Sequence, residues 1–411
     1  MRITKGVQAK EKLGGSGHGP PPAAPKVNVK GAVAPGPQAP GLGGALNGPH
    51  SAGVVLQPLH SLPLATLRAT PQAEVVTLES ELIDYICCGP LLPAAGIVAD
   101  EVRESAAEWM RLGRCLCDVL QFDFGALDKV QRLRVFHYYL PVYMWQVKQM
   151  RAHAEKGTGK PLVVGISAPQ GCGKTTLVTC LEELMAIEGI RAASISVDDF
   201  YLTNKDQTAL AEANPSNPLL QYRGNAATHD MALGTTTLAQ LTSAEGPVRV
   251  PRYDKSKFSG RGDRAEETAW PEVQGPLDVV LFEGWMSGFR PLPDDDVAAV
   301  DANLLPVNAA LRGYQEAWDS WVDSWLVIRV DDPQYVYKWR LQAEEAMRAT
   351  GKTGMTDEQI ADFVSRFMPA YKAYLPELYE KGPTTCKPGA TLVIQVDERR
   401  SPVPNQPAPV V

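Results

Sequence analysis

The sequence predicts an α/β fold: a mostly parallel sheet sandwiched by helices and preceded by a helical N-terminal region. Three observations carry that prediction. Short apolar runs alternate with helical stretches from residue 161 onward, a glycine-rich loop joins the first run to the first helix, and two later runs end in carboxylates. Continuous apolar runs mark strands covered on both faces, whereas a strand with one wet face alternates.

The elements follow in order. PLVVGIS (161–167) reads as a buried strand and 174–188 as a helix. ASISV (193–197), DVVLFEG (278–284), SWLVIRV (324–330) and ATLVIQV (390–396) read as the remaining strands. Upstream, residues 72–156 read as helical. Leu82, Ile83 and Ile86 fall at helical spacing, as do Val102, Ala106, Trp109 and Met110, then Leu116, Val119 and Leu120. A third helical stretch covers 127–155, and Pro141 is expected to kink or divide it. GTGKP (157–161) ends the pattern. The α/β body is therefore assigned to 157–411 and the helical region to 72–156.

Composition narrows the function classes. The chain has 411 residues, 44% hydrophobic and 21% charged, with a net charge of −7. That supports a sizeable core and disfavours a binder of duplex nucleic acid, which needs a basic surface. No nucleic-acid partner is expected, and no membrane partner, since no apolar run reaches the length of a membrane helix. Seven scattered cysteines without zinc spacing read as reduced thiols. A monomer is the expected state. The charge is unevenly spread: residues 1–70 hold seven basic residues and only Glu11 as an acid, so the rest of the chain carries −13. The first fifty residues include 19 Gly or Pro. Residues 1–71 thus read as a disordered, basic segment with the composition of an organelle transit peptide.

The strongest chemical signal is GISAPQGCGKTT (165–176), which follows a strand and opens a helix. Gly171 and Gly173 let backbone N–H groups turn inward around phosphate oxygens, with Cys172 between them and the helix N-terminus behind them. Lys174 is expected on the β- and γ-phosphates of ATP, Thr175 on Mg²⁺, and Thr176 completes the phosphate-binding set. Ala168 stands where the eight-residue pattern has its first glycine. Cys172, beside a helix N-terminus, is expected to favour its thiolate, though a compact spacer is the simpler role.

A phosphate loop alone does not choose between a kinase and other nucleotide hydrolases. SVDDFY (196–201) adds a carboxylate at a strand end, where one can accept the proton of a substrate hydroxyl. Asp198 is assigned that catalytic role beside Lys174, with Asp199 as the rival. LFEGWM (281–286) ends a strand in Glu283, a second candidate for Mg²⁺. Acceptor loops are expected over about 221–264. Residues 249–264 hold six basic and two acidic side chains, against the sign of the body. That inversion suggests a small anionic acceptor held by Arg223, His229, Arg252, Tyr253, Asp254, Lys255 and Arg261. A helical lid over about 335–380 carries Lys338, Arg340 and Arg348, placed to neutralise developing charge and exclude water.

These segments together resemble the plant-type D-glycerate 3-kinases, relatives of phosphoribulokinase, uridine kinase and pantothenate kinase. The resemblance spans roughly residues 75–400. It is carried by SAPQGCGKTTL, SVDDFYLT, YRGNAATHD, VPRYDKSKFSGRGDRA, FEGWMSGF, KWRLQAE, FVSRFMPAYKAYLPELY and LVIQVDERRSP. It implies ATP-dependent phosphorylation of D-glycerate to 3-phospho-D-glycerate with Mg²⁺, as the last step of photorespiration in the chloroplast stroma. It also implies that the VDERRSP turn borders the adenine. Kinases for pantothenate or ribulose 5-phosphate, and a non-catalytic nucleotide-binding module, are the competing expectations.

Overall fold

In chain order the strands are β1 (Leu162–Ser167), β2 (Ala192–Ser196), β3 (Pro247–Arg249), β4 (Tyr253–Asp254), β5 (Asp263–Arg264), β6 (Glu272–Gln274), β7 (Val279–Gly284), β8 (Ser324–Val330) and β9 (Thr391–Val396). Five of them form the central sheet, wholly parallel, in the order β2-β7-β1-β8-β9. The fold class is α/β, and each of the five begins within one residue of its apolar run. Two small antiparallel ribbons, β3–β6 and β4–β5, stand apart from the sheet. The computed structural model describes residues 72–349 and 355–404. The basic segment 1–71 and the glycine break after residue 349 lie outside the described residues.

The strand order positions the site. The chain leaves β1 for the edge strand β2, returns through β7 beside β1, and crosses to β8 on the other side. Such a reversal opens a crevice beyond the carboxyl ends of the strands. The register is equally specific: Glu283 lies opposite both Ile166 of β1 and Ser196 of β2. The tail of β7 is therefore level with the loops that follow β1 and β2.

Residues 72–154 form a series of helices joined by turns, with no strand among them. The helix Ala106–Leu120 buries Trp109, Leu112 and Leu116 and packs against Lys174–Ile187, the helix after β1. Arg111 reaches Glu188 at 2.6 Å across the same junction. Pro141 divides nothing. It sits at the start of Leu140–Ala154, directly after a π turn, Val135–Tyr139. A wider turn there absorbs the missing N–H and the ring's clash with the preceding turn, so the helix runs on.

Trp318 meets Phe200, Phe282 and His229 at ring-centre distances of 5.6, 5.8 and 5.7 Å. This cluster fixes the turn after β2 against β7. In β1, Gly165 lies under the Trp325 indole of β8, whose Nε1 donates to Thr385 Oγ1 at 3.1 Å. A Cβ at residue 165 would sit 2.5 Å from the indole carbons. Gly165→Ala should therefore cost about 2 kcal/mol, the scale of an overpacked core site. A urea denaturation midpoint unchanged from wild type would refute that reading of the β1–β8 contact.

Candidate active site

The loop between β1 and Lys174–Ile187 is shaped by two glycines with left-handed backbone, Gly171 at φ 78° and Gly173 at φ 96°. Gly173 caps the helix without a side-chain cap, so the amides of its first turn have no helical carbonyls to bond and can receive an anion. Thr175 and Thr176 are exposed there. Space also demands glycine at 171, where a Cβ would lie 2.8 Å from Cβ of Trp339. Distant segments brace the loop from behind. Gln170 N donates to the Tyr371 hydroxyl at 3.0 Å, and Arg400 Nε donates to the Gly171 carbonyl at 2.7 Å. Arg400 also stacks 5.1 Å from the Trp339 ring, and the Trp339 Nε1–H donates to Glu398 O at 2.7 Å. Ala168 is buried, and its N–H bonds Gly284 O at 3.1 Å, tying the start of the loop to the end of β7.

Cys172 corrects one expectation. Its side chain is buried, and burial pushes the thiol up to about 11 despite the opposing pull of Lys174. Desolvation outweighs the helix N-terminus, so this is a compact spacer rather than a thiolate.

Lys174, Glu283 and Asp198 share one crevice. Lys174 forms an ion pair with Glu283. Burial disfavours its charge, but Glu283 and Asp198 together outweigh that and raise its pKa. Asp198 Oδ2 accepts from Lys255 Nζ at 2.7 Å and Oδ1 from the Tyr201 hydroxyl at 2.8 Å. Burial alone would raise the Asp198 pKa. Lys255, Lys174 and the Tyr201 hydrogen bond reverse that and hold it well below the ordinary carboxylate range. Its rival Asp199 turns the other way, toward Arg252 at 3.4 Å and the Tyr253 N–H at 3.2 Å. Burial lifts Asp199 to about 6. Asp199 thus anchors β4, and Asp198 faces the phosphate loop.

The other candidate acceptor residues separate by position. Tyr201 stacks on His229 at 4.5 Å, and their backbones form an isolated bridge. His229 Nδ1 lies 2.7 Å from the Tyr314 hydroxyl, and burial drops its pKa to about 3, so it is neutral. Arg223 donates to the carbonyls of Gly260 and Arg261 and lies over the Tyr253 ring at 5.6 Å. Asp254 caps its own loop through Ser256 N at 2.9 Å. Arg261 is exposed, stacks near Tyr222, and lines a separate cleft of about 360 Å³ with Asn204, Gln207 and Gln221.

The three cations expected on the lid are also engaged. Lys338 pairs with Glu398 at 2.8 Å, Arg348 with Asp357 at 3.7 Å, and Arg340 with the buried Glu344. Burial lowers the Arg340 pKa, and the charge of Arg223 adds to that lowering against the pull of Glu344. Tyr201, Glu344, Tyr371 and Arg400 were not singled out in the sequence. Only Tyr201 carried a local signal, as the last residue of SVDDFY.

The donors fit Mg²⁺. A threonine hydroxyl opening the helix and a carboxylate ending β7 are hard oxygen ligands. Too few for a protein-only cage, they suit an ion that fills its shell with water and phosphate oxygens.

Comparison with known proteins identifies the family. No family model matches the chain. It is 50% identical over 335 residues to the chloroplastic D-glycerate 3-kinase of Arabidopsis thaliana, covering 80% of this chain and 74% of that protein. It is 39% identical over 259 residues to the kinase mug58 of Schizosaccharomyces pombe, covering 60% of this chain and 92% of that one. Among solved structures, a D-glycerate 3-kinase from Cryptococcus neoformans superposes with a TM-score of 0.59 at 36% identity, over 64% of this chain and 97% of that chain. With its glycine loop, lysine and strand-end carboxylates in one crevice, the chain belongs to the D-glycerate 3-kinase family.

Proposed function

We propose that this enzyme transfers the γ-phosphoryl group of ATP to the 3-hydroxyl of D-glycerate, yielding 3-phospho-D-glycerate and ADP. The observation that carries the reading is the convergence of Lys174, Glu283 and Asp198 where β1, β2 and β7 end. Phosphoryl transfer asks a protein for positioning and charge rather than covalent chemistry, and that convergence supplies both. The acceptor's identity is supported by the name of the Arabidopsis relative and by the cationic loop beside Asp198.

In this reading the loop amides and Lys174 hold the β- and γ-phosphates. Bound Mg²⁺, held by Thr175 and Glu283, would neutralise charge on the transferring group. Lys174 then trades its Glu283 partner for phosphate oxygens. Asp198 takes the proton of the attacking hydroxyl while Tyr201 keeps the carboxylate turned toward it. Arg223 and Arg340 supply positive potential on the acceptor side. Helices Tyr335–Ala349 and Asp357–Ser365 form the lid, and Trp339 seats it on Gly171. The chloroplastic relative supports a chloroplast location, with the stroma and photorespiration as the setting.

A coupled assay offering D-glycerate, L-glycerate, pantothenate and ribulose 5-phosphate with Mg-ATP decides the acceptor. D-Glycerate should give the highest kcat/KM, and a higher value for any other acceptor overturns the assignment. Lys174→Ala should lose turnover by a factor on the order of 10³ and weaken ATP binding. Asp198→Asn should lose turnover to a similar degree with ATP affinity intact. Calorimetry showing equal ATP loss in both variants contradicts the division of roles. Gly171→Ala should raise KM for ATP about tenfold or more, since both φ and the Trp339 contact forbid a side chain. An unchanged KM would show that the loop tolerates a Cβ.

A further inference from the structure

Both oxygens of the base are already engaged. A carboxylate has about four lone-pair sites, so a substrate hydroxyl can still dock on Asp198. It cannot readily hand over its proton to a carboxylate held by an ammonium, because that ammonium stabilises the ionised carboxylate and weakens it as a base. One donor has to leave. Tyr201 is the fixed one: it is buried, stacked on His229 and edge-on to Tyr253 at 5.4 Å. Lys255 is the movable one. It follows a two-residue strand on a flexible four-carbon stem, with a quarter of its side chain exposed. The next residues include Phe258 and Ser259, both with positive φ, so the loop is not a regular element that would pin it.

The neighbouring cations are committed elsewhere. Arg249 pairs with Glu272, Arg252 with Asp199 and Arg264 with Asp230, at 3.1, 3.4 and 2.9 Å. Lys257 donates to the Arg264 carbonyl at 3.3 Å, and Arg261 lies in the separate cleft. Among the basic residues of 249–264, Lys255 is the one paired with the reacting carboxylate.

We propose that Lys255 is a specificity-determining residue that exchanges between Asp198 and the carboxylate of the acceptor, making recognition of an acid and release of the base one event. The inference rests on the function proposed above and extends it. An acidic acceptor offers Lys255 a second carboxylate. Asp198 then accepts the hydroxyl proton as the new oxygen–phosphorus bond forms and the bond to the ADP oxygen breaks. A neutral polyol leaves Lys255 on Asp198 and is discriminated against in turnover as well as in binding. Water is restrained in the same way, which limits futile hydrolysis of ATP.

The test uses the full chain with Mg-ATP and two acceptors, D-glycerate and glycerol, in wild type, Lys255→Met and Lys255→Arg. Lys255→Met should cut kcat/KM for D-glycerate on the order of 100-fold while leaving glycerol unchanged or faster, so the preference collapses by a similar factor. Acceptor-free ATP hydrolysis should rise several-fold. Lys255→Arg, which keeps the charge, should restore part of the preference. A wild-type measurement needs no variant: added formate should stimulate phosphorylation of ethylene glycol, since it supplies in trans the carboxylate that draws Lys255 away. An equal loss on both acceptors in Lys255→Met, or no stimulation by saturating formate, overturns the proposal. Wild-type enzyme that is inert toward D-glycerate but active on another acceptor overturns the function itself, a result distinguishable from either.

Discussion

Two lysine–carboxylate pairs at one edge of the sheet, Lys174 with Glu283 and Lys255 with Asp198, are the constraint on which the rest of the site depends. Each charge is largely withdrawn from water, and a withdrawn charge is tolerable only with a partner in good geometry. The sheet enforces that geometry. With β7 lying between β1 and β2, Glu283 comes level with the phosphate loop on one side and with Asp198 on the other. A different strand order would separate the two carboxylates and leave each lysine seeking a partner elsewhere.

Around these pairs the structure divides into parts that are fixed and parts that can move. The fixed part is aromatic. Trp318, Phe200, His229 and Tyr201 form a packed run that ends in the hydroxyl on Asp198, and Tyr314 holds His229 from the far side. Rings with few torsions and buried faces lose little more entropy on being ordered, so they suit a scaffold. The movable part is the pair of lysines, whose long stems let one ammonium serve two anions in turn. Rigid positioning of the proposed base beside countercharges on long stems would suit a phosphoryl transferase, with geometry set in advance and charge shifting with the reaction.

Most of the fold was legible because its signals are local. Apolar runs of five to seven residues marked the five central strands, and the glycine loop declared itself by composition and by its flanks. Asp198 and Glu283 were legible for the same reason, as carboxylates at strand ends. The braces behind the phosphate loop were not. Arg400 reaches Gly171 across 229 positions and Tyr371 reaches Gln170 across 201, and no local pattern encodes such a pairing. The π turn before Pro141 was hidden too, since one proline is compatible with a kink, a break or a widened turn. At Cys172 the sequence neighbours argued for a thiolate, and burial decides for the compact spacer, the simpler of the two readings.

The charge of the acceptor loop shows where composition stops being informative. Six basic residues in 249–264 predict positive potential, yet four of them are spent on holding the loop: Arg249 on Glu272, Arg252 on Asp199, Arg264 on Asp230 and Lys257 on a carbonyl. What remains for a substrate is a small, directed field rather than a basic patch. That is sufficient in a body of net charge −7, because at physiological ionic strength the Debye length is about 8 Å and the acidic exterior is screened at the crevice floor. Inside, the low local dielectric magnifies the helix N-terminus and two ammonium groups. An acidic protein can thus hold two anionic substrates face to face without a basic surface, provided its few inward cations are paired until an anion competes for them.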